Sequence, residues 1–176
     1  RDKLVTGVQT CALPISLLSN WENFYYLKCV YDIDLDELEQ QGIKVIMFDL
    51  DSTIMISKSG EYRPETVEWL NDVKQKFTVA VISNNKNEDY INKVRSQSDF
   101  TVIGHASKPN PKKMRSYLKD IGIEPKQAVM VGDRPLTDIV AGKLLGCKTI
   151  LVDSINAENE NLPTRFVRKL ERSVIR

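Results

Sequence analysis

The side chains with the most chemical potential fall in four short clusters. They are Asp49-Leu50-Asp51-Ser52-Thr53, Ser83-Asn84-Asn85, Lys108-Pro109, and Gly132-Asp133 with Asp138 five residues later. Asp49 and Asp51 stand at i and i+2, so on an extended chain their carboxylates point the same way. Both follow an apolar run, and two carboxylates leaving a buried strand together are costly unless a cation or a reaction needs them. The second cluster adds a hydroxyl and two amides, the third an ammonium, and the fourth two further carboxylates. Each has a plainer reading. The aspartates could cap a turn, Ser83-Asn84-Asn85 could be a turn, and Lys108 could be a solvated surface lysine. Asp138 could simply open a helix, where a carboxylate is favoured.

The elements that must position these groups alternate. Lys44 to Leu50 reads as a buried strand, followed by a helix over Pro64 to Lys76 with proline at its start and Val67, Leu70 and Val73 on one face. A strand over Phe77 to Ile82 precedes a helix over Asn87 to Ser98, with Asn87 as its N-cap. A short strand, Phe100 to Ile103, leads to a helix over Pro111 to Ile121 that Gly122 ends. Gln127 to Val131 is a strand, Leu136 to Leu145 a helix closed by Gly146, and Thr149 to Val152 the last strand. Such alternation predicts an α/β fold: a three-layer, doubly wound parallel sheet with helices on both faces. Every polar cluster follows a predicted strand, where such sheets hold ligands.

DLDST, the hydroxyl of VISNN, the lysine of ASKPNP, and GDRPLTD occur in this order, and together they resemble the haloacid dehalogenase (HAD) superfamily of phosphotransferases. The resemblance implies a Rossmann-like core and phosphomonoester hydrolysis through an aspartyl-phosphate. Asp49 would be the nucleophile and Asp51 the general acid and then base. Ser83 and Lys108 would contact the phosphoryl group and offset its charge. Mg²⁺ would be held by Asp49, the Asp51 backbone carbonyl and Asp133, and Asp138 would position Lys108 or a metal-bound water. The amides after Asp49, including those of Ser52 and Thr53, would bind the phosphate, with Asn84, Asn85 and Arg134 also on the substrate side. This mechanism does not use His105, the only histidine, which reads as a loop residue. About thirty residues separate Asp51 from Ser83, too few for a large cap domain beside the Pro64 helix. From Leu18 to Arg176 the order looks like the capless YqeG-type branch of subfamily IIIA, similar to the mitochondrial phosphatidylglycerophosphate phosphatases. Two positions depart from that branch. Ser52 stands where Asn is common, and Arg134-Pro135-Leu136 replaces the usual Gln-Leu-Phe, which puts substrate preference in question.

Of 176 residues, 41% are hydrophobic and 28% charged, too apolar for a disordered chain. A formal net charge of +1 indicates no nucleic-acid partner. No apolar run approaches the ~20 residues of a spanning helix. Three cysteines (Cys11, Cys29 and Cys147) lack metal-ligand spacing and read as free thiols in a reducing compartment. Residues 1–16 resemble translated adaptor sequence and are expected to be a non-native leader. Residues 17–42 form an N-terminal segment in which Leu17, Leu18, Trp21, Phe24 and Tyr25 make a helical aromatic stripe. Residues 43–155 are the phosphatase core, and residues 156–176 a basic helix carrying Arg165, Arg168, Lys169, Arg172 and Arg176. The two ends suit either an anionic membrane surface or packing on the core. The expectation is a cytoplasmic enzyme, in peripheral contact with the inner face of the membrane if the ends bind lipid. Its leading substrate is phosphatidylglycerophosphate. The alternatives are soluble sugar phosphates or phosphoproteins and, from another class, a phospho-accepting receiver-like module. Oligomeric state is open.

Overall fold

A computed structural model of the chain describes residues 24–155. The leader, the basic terminal helix, Cys11, Leu17, Leu18 and Trp21 lie outside the described residues. The strands among the described residues are β1 (Phe24–Leu27), β2 (Val45–Phe48), β3 (Thr78–Ile82), β4 (Thr101–Ile103), β5 (Ala128–Gly132) and β6 (Lys148–Val152). The α-helices among them are α1 (Leu35–Gln40), α2 (Pro64–Lys76), α3 (Glu88–Ser96), α4 (Lys112–Asp120) and α5 (Val140–Leu145). All strand pairs are parallel, in the order β1-β6-β5-β2-β3-β4.

Period-two alternation divides each central strand between two cores. Ile46 and Phe48 of β2, Val79 and Val81 of β3, and Val129 and Val131 of β5 share one core with Leu38, Leu70, Val73, Ile91 and Val94 from α1, α2 and α3. Val45 and Met47, Ala80 and Ile82, and Ala128 and Met130 face the other, against Met114 and Leu118 of α4 and Leu145 of α5. A strand covered on both faces must be apolar throughout. That is why these segments read as continuous hydrophobic runs, and each buried aliphatic side chain contributes about 1.5–3 kcal/mol of burial. The chain runs from β2 outward through β3 to β4, then crosses back to β5 on the other side of β2. The switch point therefore lies where β2 and β5 end side by side.

Three expectations change. Phe24 and Tyr25 do not lie on a helix: they belong to edge strand β1, which pairs residue by residue with β6. Aromatics at helical spacing in a short segment are equally compatible with a strand, and the open edge of β6 supplies the hydrogen bonds. On α2, Thr66 is buried beside Leu70 and Val73, whereas Val67 is 45% exposed. The Thr66 hydroxyl pairs with that of Tyr31 at 2.7 Å, which makes its burial tolerable. The helix expected from Leu136 opens instead as a π-helical turn, Pro135–Ile139, before α5, and Gly146 (φ 89°) closes it.

Candidate active site

β2 delivers Asp49 to the switch point, where its backbone N–H donates to the Val131 carbonyl of β5 at 2.8 Å. The chain then curls. Thr53, Ile54 and Met55 N–H groups all converge on the Leu50 carbonyl (3.4, 3.2 and 3.1 Å), and Ser52 adopts φ 71°. The Ser52 N–H consequently donates to Met55 O at 2.8 Å, so it is engaged within its own turn. Thr53 is fully buried and its hydroxyl donates to Asp133 Oδ1 at 3.3 Å. Both residues thus shape the loop, in contrast to the substrate contacts expected of them. The Ser52 amide is taken up by the curl itself, and the Thr53 hydroxyl by Asp133.

Lys108 is buried, its side chain only 1% exposed, with Nζ 2.5 Å from Asp49 Oδ1 and 2.7 Å from Asp138 Oδ1. Asn84 holds the lysine's backbone from both sides. Its Oδ1 accepts from Lys108 N–H at 2.7 Å and its Nδ2 donates to the Lys108 carbonyl at 3.0 Å. Expected as a substrate contact, Asn84 spends its amide on the loop instead. Asn85 likewise turns its Oδ1 to Asn87 N–H, at 2.9 Å, while still lining the cleft. Asp138 sits under the lysine, its Oδ2 accepting from the Arg134 N–H at 3.1 Å. Gly132 makes this fit possible: a Cβ there would lie 2.4 Å from Asp138 Oδ2 and 2.5 Å from Asp138 Cβ.

Asp49, Asp133 and Asp138 each bring a carboxylate oxygen within 4.8 Å of the others. Three carboxylates thus face one ammonium, a surplus of negative charge that suits a hard, oxygen-preferring cation. Burial pushes the Asp49 carboxyl up; Lys108 opposes this, Asp138 and Asp133 reinforce it, and the balance stands at about 8. Burial alone would depress the Lys108 ammonium, but Asp138 and Asp49 outweigh it and hold it above the ordinary lysine range. Asp51 is not part of the carboxylate group. Its Oδ1 accepts from the Lys58 N–H at 3.0 Å and from the Tyr90 hydroxyl at 2.7 Å.

An open cleft of ≈ 220 Å³ lies over this group. Asp49, Asp51, Ser83, Asn84, Asn85, Lys108, Arg134 and Asp138 all reach it, and Ser83 is buried at its base. Sequence reasoning missed Lys58, Ser57, Thr137 and Tyr90. The first turn of a helix that follows a parallel strand starts beside the strand ends, so Tyr90, three residues after the Asn87 cap, was recoverable on that ground. Lys58 lies in an irregular loop with no such signal. His105 stays outside the cleft lining and pairs with Glu88 at 2.8 Å.

A family described as HAD-hydrolase-like matches residues 105–170, the stretch that carries Lys108, Asp133 and Asp138. The Bacillus subtilis protein named "Probable phosphatase YqeG" is 27% identical over 150 residues, covering 85% of this chain and 87% of its own length. By these likenesses the chain is similar to proteins of the haloacid dehalogenase superfamily. The likeness to YqeG, spread over most of both chains, supports a phosphatase. An Arabidopsis thaliana protein, phosphatidylglycerophosphate phosphatase 1, chloroplastic/mitochondrial, is 28% identical over 82% of this chain. The chain spans 44% of that plant protein's length. A HAD family enzyme of Bacteroides thetaiotaomicron, crystallised with magnesium and inorganic phosphate, has the same fold at a TM-score of 0.53 and 15% identity. The match covers 71% of this chain and 100% of that one.

Proposed function

We propose that this HAD phosphatase hydrolyses phosphate monoesters through an aspartyl-phosphate on Asp49, with Mg²⁺ as cofactor and phosphatidylglycerophosphate as its leading substrate. The observation that carries the mechanism is the buried Lys108, which bonds Asp49 and Asp138 together at the end of β2. Such a lysine orients one carboxylate oxygen and balances charge as a phosphoryl group arrives. Asp49 attacks phosphorus while the bond from phosphorus to the ester oxygen breaks, and Asp51 gives that oxygen its proton. Water then attacks the same phosphorus and yields its proton to Asp51. The bond to Asp49 breaks, and inorganic phosphate leaves. Ser83, buried at the base of the cleft, donates its hydroxyl to a phosphoryl oxygen. Asp49, Asp133 and the Asp51 carbonyl would hold the Mg²⁺, which supplies neutralisation of phosphoryl charge when bound. Asp138, whose two oxygens already serve Lys108 and Arg134 N–H, keeps the lysine in place.

Two features favour the lipid over a small soluble ester. Among the described residues only α2 stands between β2 and β3, with no insertion of cap-domain size, which leaves room for a headgroup on a large surface. Lys58 and Arg134, both exposed, line the cleft and suit a substrate with a second anionic group beside the monoester. Among the described residues no helix is long and apolar enough to cross a membrane. The test measures phosphate loss from phosphatidylglycerophosphate micelles beside a panel of soluble sugar phosphates and phosphopeptides, with Mg²⁺ and with chelator. Faster turnover of the lipid, abolished by chelator, supports the proposal. Failure on the lipid with rapid turnover of one soluble ester overturns the substrate.

A further inference from the structure

Asn87 caps α3 by accepting from the Tyr90 N–H at 3.1 Å, which anchors Tyr90 in the first helical turn beside the strand ends. Its half-buried ring packs on the core, and its hydroxyl donates to Asp51 Oδ1 at 2.7 Å. The Lys58 N–H donates to the same oxygen at 3.0 Å. Among the described residues no donor reaches Asp51 Oδ2. The two carboxyl oxygens are therefore inequivalent. A proton on Oδ1 would compete with two donors for that oxygen's lone pairs, whereas Oδ2 is open to one. The Tyr90 hydroxyl stands as a donor to Asp51 by geometry, 2.7 Å from Oδ1.

We propose that Tyr90 is a positioning residue for the acid–base carboxyl: with the Lys58 amide it occupies Asp51 Oδ1 and reserves Oδ2 for proton transfer. Oδ2 hands its proton to the ester oxygen as the phosphorus–oxygen bond breaks, and receives one from the water that later attacks phosphorus. This rests on the reading of Asp51 as general acid and base given above. A purely structural tyrosine would need only its ring, which Phe supplies equally well; the hydroxyl is the part aimed at the reaction.

The test is kcat/KM of Tyr90→Phe on an alkyl phosphate, whose leaving oxygen needs a proton, against an aryl phosphate, whose leaving group departs without one. The ratio kcat/KM reports only the steps up to loss of the leaving group. General-acid assistance is worth ~10²–10⁴-fold, so losing its orientation should lower the alkyl value about tenfold and the aryl value less than about twofold. Inhibition by inorganic phosphate and the unfolding temperature should be unchanged. Equal losses on both esters, an undiminished alkyl rate, or loss of phosphate inhibition would each mean that the hydroxyl is structural, overturning the proposal. Asp51→Asn separates the two levels. If it shows the alkyl-selective loss and Tyr90→Phe does not, only the role of Tyr90 fails. If Asp51→Asn lacks that selectivity, the acid–base reading of Asp51 fails and takes Tyr90 with it.

Discussion

Lys108 touches two of the three grouped carboxylates, and its removal would leave Asp49 and Asp138 buried against each other without a counter-charge. Breaking a buried pair by removing one partner costs about 3–5 kcal/mol. Lys108→Met should therefore lower the unfolding free energy by about that amount in chelator, as denaturant titration would measure, and abolish turnover. The pH dependence follows from the same excess of acids. The Asp49 carboxyl is raised in the folded protein, from an ordinary 3.8 to about 8. The folded state thus binds more protons than the unfolded chain between those values, so this group's contribution to stability is full at acid pH and lost as pH rises through about 8. Thermal unfolding in chelator should fall across that range, Mg²⁺ should restore the loss, and Asp49→Asn should flatten the dependence. A cation that replaces a proton also binds more tightly as pH rises, so Mg²⁺ affinity should increase up to about pH 8.

At the scale of elements, the site depends on two joints. Asn84 ties the end of β3 to the Lys108 loop with two hydrogen bonds, each worth about 0.5–1.5 kcal/mol net. Asn84→Ala should lower stability by about 1–3 kcal/mol on that scale and reduce kcat by loosening Lys108. Gly132 gives Asp138 its place, and Gly132→Ala should displace Asp138 and cut activity although β5 would tolerate alanine elsewhere. Much of this was legible in the sequence. A strand buried on both faces shows as an unbroken apolar run, and its polar end residues then mark the site. Hence the positions of Asp49, Ser83 and Asp133 just past strand ends were readable before any coordinate, and their roles belong to the proposal. What escaped depends on competition between elements. Phe24 and Tyr25 fit helix or strand until β6 offers its edge, and Thr66 is buried because Tyr31, remote in sequence, meets its hydroxyl. The internal use of Ser52 and Asn84 also hides, since a residue type states which bonds it can make and not which partner arrives.

For the whole molecule, net charge was a poor guide. The value of +1 averages a cleft rich in carboxylates with basic residues elsewhere in the chain. The local field matters more than the sum, because exposed charges are screened beyond ~10 Å at 0.1 M salt. The surplus of acids in the cleft should draw cations, with Lys58 and Arg134 meeting the anionic remainder of a substrate. Charge reversal of both to Glu should raise KM for a substrate bearing a second anion by about tenfold or more, consistent with two charge-assisted contacts. A simple aryl phosphate should change far less, as steady-state kinetics would determine.

In the proposed mechanism Asp49 is phosphorylated and turned over. Phosphate release from a simple phosphate ester in Mg²⁺, compared between the natural chain and Asp49→Asn, tests it most directly. The expected result is a fall of at least ~10³-fold, with phosphate inhibition of the folded variant retained. Undiminished release by Asp49→Asn would contradict it.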